Sequence, residues 1–151
     1  MPDPDLDALD PLILPDALLK LILADGTSRA ELHMVGNQAG IVSLANVLRW
    51  LTSAERDVLH LADLPFVWSV AATSLSLRRT VDAHEGRYGL VQRIEVQTTF
   101  EWHLDATELP RLADSLNLLA ALGGREGAIY DAPDAWSASV HLRVDETLDG
   151  A

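Results

Sequence analysis

The sequence contains no cysteine, which excludes a disulfide framework and thiolate chemistry. Basic residues are scarce. Eleven Lys and Arg stand against 23 Asp and Glu, a formal net charge of −12. Phosphate contact needs a basic face, so nucleic acid is not an expected partner. No apolar run approaches the roughly 18 residues of a membrane span. The first residues are rich in Asp and Pro and lack the basic start of a secretory signal, and Leu12-Ile13-Leu14 is too short for its apolar centre. A cytoplasmic setting without membrane contact follows as an expectation. Several catalytic signatures are also missing. Ser53 and Ser115 have no Gly-x-Ser-x-Gly context. The glycines form no Gly-x-Gly-x-x-Gly phosphate cradle, and no His-x-x-x-His or His-Glu-x-x-His spacing occurs.

What is present is an ordinary globular composition. At 151 residues, 48% apolar and 23% charged, the chain fits one folded domain rather than a disordered segment. A chain of this size hides roughly 70% of its unfolded surface. Residues 1–16 hold five Asp, four Pro and no base, and read as an acidic tail, either solvated or used to grip a partner. Residues 17–146 form the expected domain, and 147–151 a short C-terminal tail. The negative charge serves solubility, or it steers a basic protein partner at long range.

The hydrophobic periods predict the elements. Residues 17–24 and 29–35 flank Asp25-Gly26 as a hairpin. Gly36 and Asn37 make a turn, with Asn37 as N-cap. Ile41, Leu44, Ala45, Leu48 and Leu51 then recur at helical steps, while Gln38, Asn46 and Arg49 fall on the wet side. Gly40 lies early in this helix, where it costs helix propensity; a close backbone approach would explain it. Residues 57–62, 68–81 and 90–104 read as strands. In the last, Ile94, Val96, Thr98, Phe100, Trp102 and Leu104 alternate with Arg93, Glu95, Gln97, Thr99, Glu101 and His103. Asp105 and Glu108 have capping-box spacing and open a second helix that Gly123-Gly124 stops. A polar loop and a final strand over 136–144 follow. The expected order is β-β-α-β-β-β-α-β: an α+β two-layer sandwich with a mainly antiparallel sheet and two amphipathic helices on one face. Strand–turn–helix occurs twice, but no sequence repeat emerges.

Chemistry-bearing residues are few. Four of the five histidines lie in expected strands. Alternation puts His103 and His141 on the polar side with Glu95, Glu101 and Arg143, and His33 beside Glu31. A wet sheet face that gathers His and Glu could hold a metal or an acid–base pair, and it could equally be a plain polar face. No catalytic residue, metal ligand or cofactor is assigned. Trp50, Trp68, Trp102 and Trp136 read as core fillers, except that an exposed Trp68, next to Phe66, would anchor an interface.

The segment Leu32-His33-Met34-Val35-Gly36-Asn37-Gln38-Ala39-Gly40-Ile41, continued by Leu44-Ala45 and Leu48, resembles the immunity protein 32 type family found beside polymorphic toxins in bacteria. That family shows a strand, a Gly-Asn turn, a nearby Gly-Leu or Gly-Ile and a Leu-Ala helix. Its downstream His-Leu-Asp strand corresponds here to Leu59-His60-Leu61-Ala62-Asp63, interrupted by Ala62. The likeness covers residues 32–63. It implies a small cytoplasmic antitoxin that blocks a toxin domain and performs no catalysis. On that reading Glu95, Glu101 and His103 form the partner-binding face, Phe66 and Trp68 anchor it, and the molecule is a monomer or homodimer. Two other readings stand beside it: a secretion-system or chaperone-like adaptor, and a metal-assisted hydrolase using the sheet-face His and Glu residues.

Overall fold

In a computed structural model, residues 9–25, 30–53, 58–70, 74–80, 90–93, 99–122, 128–130 and 139–145 are described. Eleven regular elements follow in order: β1 (Leu19–Asp25), β2 (Ala30–Gly36), α1 (Gln38–Ser53), β3 (Val58–His60), β4 (Val67–Ser69), β5 (Ser74–Thr80), β6 (Leu90–Arg93), β7 (Thr99–Asp105), α2 (Glu108–Ala121), β8 (Ala128–Tyr130) and β9 (Ser139–Val144). The class is α+β with two helices and mixed sheets, consistent with a two-layer sandwich. Four strand pairings are antiparallel and three parallel.

The apolar stripes go where their periods send them. Ile41, Leu44, Ala45, Leu48 and Leu51 of α1 are buried, as are Leu109, Leu112, Ala113, Leu116, Leu119 and Ala120 of α2. The two helices pack on each other and share one core with Leu19, Leu21, Leu32, Met34, Val140 and Leu142 on one side and Leu75, Leu77, Phe100, Trp102 and Leu104 on the other. In β7 the alternation is strict: Phe100, Trp102 and Leu104 are buried, and Glu101 and His103 are only partly so.

The strands fall into two sheets rather than one. The larger has the order β4-β1-β2-β9-β8 and the smaller β3-β5-β7-β6. Two expected strands therefore divide. Residues 68–81 contribute to β4 in the larger sheet and β5 in the smaller. Residues 90–104 contain a reversal, because β6 and β7 pair antiparallel with Arg93 opposite Phe100. The alternating pattern runs through this hairpin and hides it, since a period of two is the same in one long strand or two short ones. The short β8 lies where the sequence suggests only a polar loop.

Connectivity repeats. The first half of the chain runs hairpin β1-β2, helix α1, hairpin β3-β5; the second runs hairpin β6-β7, helix α2, hairpin β8-β9. Each helix delivers the chain to the sheet begun by the other half. β5 joins β7 in parallel and β9 joins β2 in parallel, so each sheet is closed by a parallel pairing between the two halves. β4 is an addition to the first half, at the edge beside β1.

The N-terminal segment departs from the expected tail. Leu9 is buried at 1% exposure, and residues 10–12 form a 3-10 turn. Asn46, placed on the wet side of α1 by its spacing, donates to the Leu12 carbonyl at 2.9 Å, and Ser43 Oγ accepts from the Leu14 N–H at 2.9 Å. The prolines and aspartates disfavour regular structure here, but Leu9 and Leu12 supply enough apolar surface to dock the segment on α1. Residues 1–8 and the tail at 147–151 lie outside the described residues.

Candidate functional site

The turn residues have structural work to do. Asn37 Oδ1 accepts from the Gly40 N–H at 2.7 Å, the N-cap bond, and also from the Leu18 N–H at 3.0 Å. Its Nδ2 donates to the Asp16 carbonyl at 2.7 Å. One side chain thus caps α1 and ties down the lead-in to β1. Gly36 and Gly40 admit that lead-in. A β-carbon at Gly36 would stand 2.9 Å from Leu19 Cδ1 and 3.0 Å from the Leu18 carbonyl oxygen. At the second helix the capping box forms. Asp105 Oδ1 accepts from the N–H groups of Thr107 and Glu108, both at 2.8 Å, and Glu108 Oε1 accepts from the Asp105 N–H at 2.9 Å. Gly123, the expected helix stop, lies outside the described residues, just past the last helical residue Ala121.

Of the expected partner-binding residues, Glu95 lies outside the described residues. Glu101 and His103 share the outer face of the smaller sheet, with His103 Nε2 3.5 Å from Glu101 Oε1. Glu101 is not a free acidic group. Its Oε2 accepts from Arg78 Nη2 at 3.0 Å and from Arg78 Nε at 3.3 Å. Phe66 is a correction: it is 5% exposed and joins the core. Leu64 and Phe66 both turn inward around Pro65, so the aromatic ring fills the interior instead of projecting. Trp68 is 44% exposed on the edge strand β4. The Lys20 ammonium lies 4.8 Å from its ring centroid, a cation–π contact. Trp102 is buried as expected, Trp50 is half-buried against the core, and Trp136 lies outside the described residues.

The histidines separate between the two sheets. Parallel register places His33 opposite His141 in the larger sheet. Their rings stack with centroids 4.6 Å apart and planes at 15°. Glu31 Oε1 lies 3.4 Å from His33 Nε2 and 3.3 Å from His141 Nε2. All three side chains are partly exposed, and potential ligand atoms of the three lie within 4.8 Å of one another.

The two clusters occupy equivalent positions in the two halves. Glu31-Leu32-His33 corresponds to Glu101-Trp102-His103. Across the parallel pairing, Ser139 and His141 correspond to Ser76 and Arg78. The flanking positions also match: Ile22 pairs with His33 as Leu90 pairs with His103, and Ile129 pairs with His141 as Val58 pairs with Arg78. The repeated Glu-x-His was the sequence signal for this relation, too short to be seen without the register. His60, the remaining described strand histidine, shares a 2.5 Å hydrogen bond from Nδ1 with Ser76 Oγ.

No protein-family model matches the chain, and neither a curated protein nor a solved structure is significantly similar to it. Among the described residues no helix is long and apolar enough to cross a membrane.

Proposed function

We propose that this chain is a non-catalytic binding protein that occludes a basic partner protein, as an immunity protein does its toxin domain, and that it acts in the bacterial cytoplasm as a monomer or homodimer. The observation that carries this reading is Trp68, a large aromatic side chain 44% exposed at a sheet edge of a strongly acidic chain. Tryptophan is favoured at the energetic centres of interfaces, because it buries much area at little entropic cost. β1 and β4 run parallel, so Asp16 and Asp63, each exposed and a few residues before its strand, approach the same end of this edge. The Lys20 ammonium rests on the Trp68 ring, so the attraction for a basic rim comes from the chain as a whole, whose net charge of −12 speeds encounter. The likeness of residues 32–63 to the immunity protein 32 type family agrees, although its glycines and asparagine serve the fold and do not themselves select a partner.

The test is co-expression with the protein encoded by the adjacent gene. Relief of that protein's toxicity and a stable complex are expected, with an association rate that falls as salt rises. Trp68→Ala should weaken the complex by about 2 kcal/mol or more, roughly 30-fold, and lower the stability of the free chain by less, since it loses the Lys20 cation–π contact, about 0.5–1 kcal/mol. A complex indifferent to both Trp68→Ala and salt would refute the proposed surface; no relief of toxicity would refute the immunity role.

A further inference from the structure

We propose that Glu31, His33 and His141 form a binding site for a divalent transition-metal ion of the zinc class, on the outer face of the larger sheet. Two imidazoles and one carboxylate are a recurrent donor set for such ions, and they leave a fourth position for water or a ligand from another molecule. Geometry supports the assignment. Two tetrahedral ligands each about 2.1 Å from an ion stand about 3.4 Å from one another. The two Nε2-to-Oε1 separations are 3.4 and 3.3 Å. Both are longer than the usual range of about 2.7–3.2 Å for N–H···O hydrogen bonds. They match two edges of a coordination tetrahedron better than they match two hydrogen bonds. The two imidazoles are stacked, with planes at 15°, so binding would require the rings to turn until both in-plane lone pairs meet the ion, from donor atoms already within 4.8 Å.

The other half of the molecule supplies the contrast. Its equivalent trio is Glu101, His103 and Arg78. There the guanidinium holds Glu101 through Oε2 at 3.0 and 3.3 Å. A guanidinium remains protonated in proteins and cannot ligate a cation. The same scaffold thus carries one carboxylate answered by a permanent charge and one facing two potential ligands. Ligation draws on two strands from opposite ends of the chain, so a bound ion would also cross-link β2 to β9 and stabilise the fold by mass action.

The experiment uses the full untagged chain with Zn²⁺ alone as probe. Calorimetric titration should give one equivalent of bound Zn²⁺, and added Zn²⁺ should raise the unfolding temperature. His33→Ala should weaken binding at least about tenfold. His141→Arg, which rebuilds the arrangement of the smaller sheet, should abolish both the bound equivalent and the thermal shift. His103→Ala should change neither. Circular dichroism of each variant without metal checks that it folds; Glu31→Gln serves if a histidine variant does not. Binding that survives both His33→Ala and His141→Arg would place the ion on the general acidic surface and overturn the proposal, as would the absence of a bound equivalent in the unaltered protein. The site does not depend on the immunity reading, since none of these readouts involves a partner.

Discussion

The carbonyl oxygen of Leu18 lies 2.1 Å from where a β-carbon on Gly40 would stand, and its carbon lies 2.7 Å away. Both atoms are backbone, so neither can rotate aside. Relief would require moving the β1 lead-in or the first turn of α1. Gly40→Ala is therefore expected to destabilise strongly, even though alanine is the better helix former by about 1 kcal/mol. The steric cost should exceed that gain, at or above the upper end of the roughly 1–3 kcal/mol typical of overpacked cores. Urea denaturation would measure it. A Gly40→Ala variant as stable as the parent would refute this packing.

Asn37 works on both sides of the same junction. Asn37→Ala removes the cap bond to Gly40 and leaves the Leu18 N–H without its acceptor. The expected loss is about 2–3 kcal/mol, a cap of about 1 plus the cost of an unmet donor. Asn37→Asp keeps the accepting oxygen and places negative charge at a helix N-terminus, which is favourable. It also turns a carboxylate oxygen toward the Asp16 carbonyl, where Asn37 Nδ2 donates at 2.7 Å, so its stability should fall between that of the parent and that of Asn37→Ala. Equal losses in the two variants, measured by thermal unfolding, would show that the Oδ1 bonds contribute little.

Arg79 stabilises the opposite end of that helix. Its Nη1 donates to the carbonyls of Leu51 at 2.9 Å and Thr52 at 3.3 Å, among the last carbonyls of α1. A cation there satisfies unpaired carbonyls and complements the helix dipole. Arg79→Met preserves much of the aliphatic stem, so it isolates the polar contribution. A loss of about 1–3 kcal/mol is expected, with faster amide exchange in the last turn of α1. Unaltered exchange there would refute the capping role.

Local features were legible before the fold was known. The N-cap at Asn37, the tight approach at Gly40, the capping box of Asp105 and Glu108, and both helical stripes follow from residue identity at close spacing. Each is decided within a few residues of chain, where steric fit and hydrogen-bond reach leave few choices. The candidate sites were only half legible. Alternation placed Glu101 with His103 and Glu31 with His33. It could not show that Arg78 answers Glu101, nor that His141 stacks on His33. Phe66 was misread for the same reason, since whether a ring beside a proline points in or out depends on what lies across from it.

The sequence by itself determined which face of both helices and of β7 is apolar, where the helices begin, and that the molecule is acidic and lacks cysteine. Those properties reside in single residues and their near neighbours. Only the tertiary structure decided that the strands form two sheets, that each half completes the other's, and that Glu31 faces two imidazoles while Glu101 faces a guanidinium. Pairing between distant strands is set by how the whole apolar surface closes, and alternation is blind to it, because every strand carries the same two-residue period whichever neighbour it meets.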